Sequence, residues 1–92
     1  MAHDSAFKAL ADPTRRQILE LLAKGDLTAG DIAGRFPVAF ASVSHHLSVL
    51  KEAGLVASER EGQFIRYRLN TTVYQDVVRY LMTVVKGGQR RA

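Results

Sequence analysis

The 92-residue chain contains no cysteine. Disulfide bridges, thiolate metal sites and thiol-based redox sensing are therefore excluded. The longest apolar stretch, from Val77 to Val85, is interrupted by Arg79 and is too short to span a bilayer. Residues Met1 to Lys8 lack the apolar segment of a secretory signal peptide. We therefore expect a cytoplasmic protein without membrane insertion.

Signatures of catalysis and of metal binding are also absent from the sequence. It has no glycine-rich phosphate loop, no HExxH motif and no cysteine nucleophile. Ser44 and His45 are neighbours on one predicted helix, so their side chains diverge and cannot form a nucleophile–base pair. The last predicted helix offers Asp76 but no histidine or glutamate as a metal ligand. We expect no enzymatic activity, no metal and no cofactor.

What the chain does contain is an excess of positive charge. Thirteen lysine and arginine residues against nine aspartate and glutamate residues give a formal net charge of +4. This balance favours anionic partners, among which nucleic acid is the commonest. Hydrophobic residues make up 47% of the chain and charged residues 24%, as is typical of one globular domain, here residues 1–92. Because so short a chain has a small core, oligomerisation is a natural supplement to its stability.

Helical periodicity predicts four helices in the first half of the chain. Asp12 followed by Pro13 is a typical helix start, because the carboxylate accepts from free N–H groups and proline needs no acceptor. Thr28 with Asp31 resembles a capping box, and Gly54 is placed to end a helix in a left-handed conformation. The predicted helices run roughly from Asp4 to Ala11, from Asp12 to Gly25, from Thr28 onward, and from Ala39 to Ala53.

Two β-type runs and a last helix follow. The pair Gly62-Gln63 separates an alternating run from one rich in aromatic and β-branched residues, which predicts a hairpin with a type II′ turn. A last helix is expected from a cap at residues 70–72 to about Lys86, and residues 87–92 are expected to fray. The predicted fold is mainly α with a two-stranded β wing. Its order, four helices, two strands and a helix, is the winged helix-turn-helix, in which the third and fourth helices read DNA.

Three blocks of the sequence stand in a characteristic order and spacing. They are Ala11-Asp12-Pro13-Thr14-Arg15-Arg16-Gln17-Ile18-Leu19, then Val43-Ser44-His45-His46-Leu47 with Leu50 and Ala53-Gly54-Leu55-Val56, then Arg60-Glu61-Gly62-Gln63 with Tyr67-Arg68-Leu69. Together they resemble the ArsR family (ArsR/SmtB) of winged helix-turn-helix repressors, and most of all its metal-independent SdpR-type autorepressors. The resemblance implies a homodimer, recognition helices in successive major grooves, and release of DNA by an inducer. The sequence leaves open whether that inducer is a protein or a small molecule, or whether regulation is simple autoregulation.

The outer face of the fourth helix carries the residues expected to meet base edges. Its inner face is apolar at Val43, Leu47 and Leu50, and recognition helices present their N-terminal residues to DNA. Serine and histidine can bond a base edge or a phosphate, although the serines could also be solvated helix hydroxyls. The expected DNA-binding residues of this helix are Phe40, Ala41, Ser42, Ser44, His45 and Ser48.

Phe40 and Ala41 depart from the family pattern, which usually has small or polar residues at these positions. An exposed phenylalanine can meet a thymine methyl, or it can pack on the wing or on a neighbour and read nothing. The preceding Ala39 lacks the side-chain oxygen expected of a helix cap. Phe40 also favours the alternative function, a winged helix that acts as a protein-interaction module rather than as a DNA reader.

The wing supplies a second group of expected DNA contacts. Arg66 and Arg68 project from the same face, because side chains alternate along a strand. Arginine there adds salt-dependent affinity through phosphate or minor-groove contacts, and a solvated basic face is the alternative. The expected DNA-binding residues of the wing are Arg60, Gln63, Arg66 and Arg68.

Three further side chains have two interpretations each. His46 lies toward the core edge of the fourth helix, so a hydrogen-bonded structural histidine is favoured over a base reader. Arg15 and Arg16 open the second helix, where one can contact phosphate or form a salt bridge to Asp12, Glu20 or another carboxylate.

The last helix is apolar nearly all round. One stripe contains Val73, Val77, Tyr80, Leu81 and Val84, and a second contains Tyr74, Val78, Met82 and Val85. A helix packed on one core needs only one stripe, so the second predicts a partner, with a core-only helix bearing some exposed valines as the alternative. The expected dimer interface is Phe7, Leu10, Tyr74, Val78, Leu81, Met82 and Val85. The sequence thus predicts a homodimeric, sequence-specific repressor that binds double-stranded DNA at an inverted-repeat operator.

Overall fold

The computed structural model describes the backbone of residues 3–91 and the side chains of residues 3–88. Its elements are α1 (Asp4–Leu10), α2 (Pro13–Ala23), β1 (Leu27–Thr28), α3 (Ala29–Ala33), α4 (Phe40–Glu52), β2 (Val56–Glu61), β3 (Phe64–Leu69) and α5 (Thr71–Arg91). The predicted winged helix-turn-helix, mainly helical with a β wing, is confirmed. None of the helices described is both long and apolar enough to cross a membrane.

The sheet has three strands where the sequence predicted two. The additional strand, β1, pairs antiparallel with β3, with Leu27 opposite Tyr67 and Thr28 opposite Arg66, and the strand order is β1-β3-β2. Two residues are too few to show an alternating pattern, so this strand has no periodic signal in the sequence. It forms because β3 offers a second edge for pairing.

The starts of α2 and α3 follow the predicted capping chemistry. Asp12 Oδ2 accepts from the backbone N–H of Arg15 at 3.0 Å, and this hydrogen bond lowers the pKa of the Asp12 carboxyl. Thr28 Oγ1 accepts from the N–H of Asp31 at 3.1 Å, while Asp31 Oδ2 accepts from the N–H of Thr28 at 3.3 Å. These side chains therefore determine where the two helices begin.

The two ends of α4 differ in how their backbone groups are satisfied. At the C-terminal end, the Leu55 N–H donates to the Leu50 carbonyl and the Gly54 N–H to the Lys51 carbonyl, both at 3.0 Å. This is a Schellman motif, with Gly54 at a φ of 77° and Leu55 buried. At the N-terminal end, Ala39 provides no side-chain cap, as its sequence predicts.

The hairpin forms at the predicted residues. Glu61 pairs with Phe64 across a two-residue turn, and Gly62 has a φ of 63°. No other position in that turn has a positive φ, which matches a type II′ turn.

The last helix, α5, continues to Arg91, past the expected end near Lys86. Gly87 and Gly88 are both helical. Glycine lowers helix propensity, but it keeps its backbone N–H, so the helical hydrogen bonds can continue through both positions. Fraying of residues 87–92 stays a prediction, and Ala92 lies outside the described residues.

The core lies among α1, α2, α3, α4, the base of the wing and the start of α5. Val43, Leu47 and Leu50 form the buried face of α4, as predicted, and α4 contacts α1, α2, α3 and β2. Truncating one such buried leucine typically costs about 2–5 kcal/mol, so this face holds the helix firmly. The largest fully buried side chains are Ile18, Ile32, Val43, Leu47, Leu50 and Leu55.

Candidate nucleic-acid interface

The outward face of α4 is open along its whole length. Burial of Val43, Leu47 and Leu50 turns the opposite side of the helix to solvent. All of the residues that the sequence predicts as DNA readers on this helix are exposed: Phe40, Ala41, Ser42, Ser44, His45 and Ser48. The helix thus carries an apolar first turn followed by hydroxyl and imidazole groups, which can bond base edges or phosphates.

Phe40 is largely exposed and lies outside the core. Its side chain is 57% exposed, and it is not among the hydrophobic residues that pack against the core. Phe36, in contrast, does pack there. Whether Phe40 meets a thymine methyl or packs on the wing or a neighbour stays a prediction, but packing in the core does not occur.

Arg15 and Arg16 hold α1 against α2. Arg15 donates from Nε to the carbonyl of Ala9 at 2.9 Å and from Nη2 to that of Lys8 at 3.1 Å. Arg16 donates from Nη1 to the carbonyl of Leu10 at 2.7 Å. Because these carbonyls belong to the last turn of α1, where acceptors lack a full set of helical N–H donors, both guanidinium groups stabilise a helix terminus. Backbone bonds of this kind are a third role, beside the phosphate contact and the salt bridge that the sequence left open.

His46 joins α4 to the start of α2. Its Nδ1 lies 3.3 Å from Nη1 of Arg15 and 4.0 Å from Oδ2 of Asp12, and the side chain is half-buried. His45, one position earlier, is exposed. The favoured interpretation of His46 as a structural histidine agrees with these contacts.

The four expected DNA-binding residues of the wing do not share one face. Arg60 lies opposite Ile65, whereas Arg66 lies opposite Glu59 and Arg68 opposite Ala57. Directly opposite residues in an antiparallel pair project to the same side, and neighbours along a strand project to opposite sides. Arg66 and Arg68 therefore share a face, as predicted, while Arg60 projects from the other.

Glutamates accompany the two arginines that share a face. Arg66 Nε donates to Glu61 Oε1 at 3.0 Å, which raises the pKa of Arg66, and Arg68 Nη1 lies 3.9 Å from Glu59 Oε2. Two positive and three negative side chains line a pocket of about 190 Å³ on this face: Asp26, Glu59, Glu61, Arg66 and Arg68. This face is mixed in charge rather than basic, so a phosphate there would compete with the glutamates for its arginines.

A second surface, formed by α5, is apolar and exposed. Val77 is buried and Phe7 packs edge-on against Tyr80, with ring centroids 5.9 Å apart, so this side of α5 faces α1. Phe7, Leu10 and Tyr74 are half-buried. The exposed residues, named here the α5 apolar surface, are Val78, Leu81, Met82, Val84 and Val85. Leu81 and Val84 belong to the same predicted stripe as the buried Val77, but the structure exposes both of them.

Comparison with known proteins decides the family. The model of the arsR family of bacterial regulatory proteins matches residues 12–58. The chain belongs to the arsR family. The transcriptional repressor SdpR of Bacillus subtilis (strain 168) is 51% identical over 92% of this chain and 94% of its own.

Solved structures of arsR-family proteins share the fold. An ArsR-like transcriptional regulator from Rhodococcus sp. RHA1 superposes with a TM-score of 0.92 and is 36% identical, covering 98% of this chain and 83% of its own. A homodimeric winged helix-turn-helix DNA-binding domain from Mycobacterium bovis has a TM-score of 0.72 and is 33% identical, covering 89% and 76% of the two chains. The resemblance drawn from the three sequence blocks is confirmed.

Sequence reasoning missed the acidic side chains of this arsR-family wing. A hairpin closed by Gly62-Gln63 places Glu59 opposite Arg66, so the register implied by the turn was a usable signal for Glu59. The approach of Asp26 has no such signal, because it depends on the pairing of β1 with β3.

Proposed function

We propose that this arsR-family protein is a cytoplasmic, homodimeric repressor that binds an operator in double-stranded DNA. The observation that carries the proposal is the exposed face of α4, held outward by three buried side chains in a chain that is 51% identical to a transcriptional repressor. In each subunit α4 enters the major groove, and the wing lies on the flanking backbone or in the minor groove. The operator is an inverted repeat, because a two-fold protein dimer meets two related half-sites.

The α5 apolar surface supports the homodimer. Five large aliphatic side chains are exposed on one helix of a small domain, next to the half-buried Phe7, Leu10 and Tyr74. Contiguous apolar surface of this kind marks an interaction site. Pairing of two such surfaces separates the two α4 helices, which must lie about 34 Å apart to enter successive major grooves on one side of the duplex.

The wing contributes differently from its two faces. Arg60 and Gln63 are exposed and have no ion pair or side-chain hydrogen bond among residues 3–88, so they can contact phosphates directly. Arg66 and Arg68 keep N–H donors beside their glutamates, and they make their full phosphate contacts by exchanging the glutamates for phosphate oxygens. Charge-assisted bonds to phosphate favour that exchange at low salt.

The proposal is tested by fluorescence anisotropy with a duplex from upstream of the gene. The protein should bind this duplex more tightly than a random duplex of equal length and base composition, with affinity that falls steeply as salt rises. Arg60→Ala should make the slope of log K against log salt concentration shallower by about 1 for each phosphate that the side chain no longer neutralises. The change should therefore be about 2 in the dimer. Arg79→Ala, which removes a positive charge on α5, is the matched control. Failure to bind either duplex at low salt contradicts the repressor function.

A further inference from the structure

The start of α4 is apolar and exposed. Val38 is 48% exposed and Phe40 57% exposed, and Ala41 beside them is also exposed. Ser42 is the single polar residue of the first turn, and Ala39 provides no side-chain cap. A recognition helix with this start presents an aromatic ring to the bases at its first position. Its hydrogen-bonding side chains follow at later positions.

Single exposed apolar side chains are common on protein surfaces, so exposure alone does not indicate a function for Phe40. Its position in the fold does. Its ring makes no aromatic pair within the part of the chain that the structure describes, and it stays outside the core. It stands at the first position of α4, from which recognition helices meet base edges. The ring is therefore free to meet the floor of the major groove.

Thymine is the base that presents an apolar group there. Its C5-methyl lies in the major groove, whereas the other bases offer hydrogen-bond donors and acceptors. Covering the methyl with a phenyl ring removes apolar surface of both partners from water. We propose that Phe40 reads a thymine C5-methyl group, so that each operator half-site carries a thymine facing the start of α4. This inference rests on the proposed repressor function and specifies its sequence preference.

Ser44 and His45 fix where that thymine should stand. Ser44 stands four positions after Phe40, a rise of about 6 Å along the helix, which is less than two base steps of about 3.4 Å. The thymine should therefore lie within about two base pairs of the base that Ser44 or His45 contacts. The half-site combines a methyl contact with a polar contact on adjacent steps.

Replacing thymine by uracil tests this directly. Two duplexes of the same upstream sequence are compared, one containing deoxyuridine at every thymidine position, which removes the C5-methyl groups and preserves base pairing. Loss of one buried methyl weakens binding about fourfold, so one methyl per half-site predicts about fifteenfold weaker binding of the dimer to the uracil duplex. Single replacements then locate the thymine within each half-site.

Variants assign the methyl contact to a residue. Phe40→Ala should bind the thymine duplex more weakly and bind both duplexes equally, while circular dichroism and thermal melting stay unchanged. Phe40→Leu should keep part of the thymine preference, since it keeps an apolar side chain. Phe64→Ala is the matched control, because Phe64 is a phenylalanine of equal exposure, 56%, on the wing, and its variant should keep the full preference.

The outcomes separate this inference from the function on which it rests. Equal binding of both duplexes by the unmodified protein overturns the inference and leaves the repressor function standing. A uracil penalty that persists in Phe40→Ala also overturns it, because another residue or DNA shape then causes the penalty. If Phe40 docks a protein partner instead, Phe40→Ala leaves both DNA affinities unchanged. Absence of any binding to the thymine duplex contradicts the repressor function itself.

Discussion

Nη1 of Arg15 lies 3.3 Å from Nδ1 of His46, so one guanidinium links the start of α2 to the recognition helix. The same side chain donates to the carbonyls of Ala9 and Lys8 at the end of α1. Arg15 therefore connects α1, α2 and α4. It helps to fix the position of α4 relative to α1, which lies beside the proposed dimer surface.

We expect Arg15→Ala to destabilise the fold rather than to weaken phosphate binding. Two carbonyls and one imidazole lose a charged donor, which should lower the free energy of unfolding by about 1–3 kcal/mol in urea titrations. Arg35→Ala is the control, because the Arg35 side chain is exposed and makes no hydrogen bond within residues 3–88; its change should stay within about 0.5 kcal/mol. An Arg15→Ala protein of normal stability but weakened operator binding would reverse this assignment.

Glu61 should compete with DNA for Arg66 on the wing, if Arg66 contacts phosphate as proposed. The two side chains are hydrogen-bonded at 3.0 Å, and Glu61 also carries a charge that repels phosphate. Glu61→Gln should therefore tighten operator binding, by about two- to fivefold if the exposed pair has an ordinary strength. Anisotropy titrations measure the change, and Glu20→Gln, an exposed glutamate on α2, controls for net charge. Unchanged affinity and salt dependence in Glu61→Gln would show that Arg66 makes no phosphate contact.

Local chemistry made most of the fold predictable. The Asp12 and Thr28 caps, the Gly54 ending and the Gly62-Gln63 turn each involve residues within a few positions of one another, so their residue types were sufficient. The exposed face of α4 followed from the burial of Val43, Leu47 and Leu50 at helical spacing.

Features that depend on distant pairing were not predictable in the same way. β1 is a strand because it pairs with β3. Arg15 bonds carbonyls at the end of α1 and also the imidazole of His46 on α4, which is 31 positions away in the sequence. Long-range geometry thus decided the role of Arg15. The division of the wing arginines between two faces, by contrast, follows from the register that the Gly62-Gln63 turn sets, so the hairpin prediction already contained it.

Acid should destabilise the protein through the Asp12 cap. The hydrogen bond from the Arg15 N–H lowers the pKa of Asp12 below its ordinary value of 3.8. A lowered folded-state pKa contributes stability that is present above pH 3.8 and is lost as the pH falls through the folded-state value. Asp12→Asn keeps the cap acceptor without the titration, so its urea midpoint should depend less on pH below the ordinary Asp pKa of 3.8. Identical pH profiles for the two proteins would contradict this role of Asp12.

The hydroxyl of Tyr74 is buried without a hydrogen-bond partner among the described residues, and burial raises its pKa to about 12. Tyr74→Phe removes this unsatisfied group at nearly constant volume. The variant should gain about 1 kcal/mol of stability, a rise in Tm of about 4–8 °C in a domain of this size. Tyr80→Phe is the control, since the Tyr80 hydroxyl is not among the buried unsatisfied atoms of the part described. A lower Tm that depends on protein concentration would instead place the Tyr74 hydroxyl in a bond to the partner subunit.

Leu81→Glu tests whether the α5 apolar surface holds two subunits together. A carboxylate at an exposed aliphatic position leaves the core of one subunit intact but would be desolvated within the interface. Sedimentation should therefore show a folded monomer, whereas Gln75→Glu, at an exposed polar position of the same helix, should remain dimeric. Because the dimer gains affinity from holding both half-sites at once, the monomer should bind the operator about a hundredfold more weakly or worse. A Leu81→Glu protein that stays dimeric would move the interface off this surface, and one that is monomeric yet binds at full strength would show that a single subunit is sufficient for reading DNA.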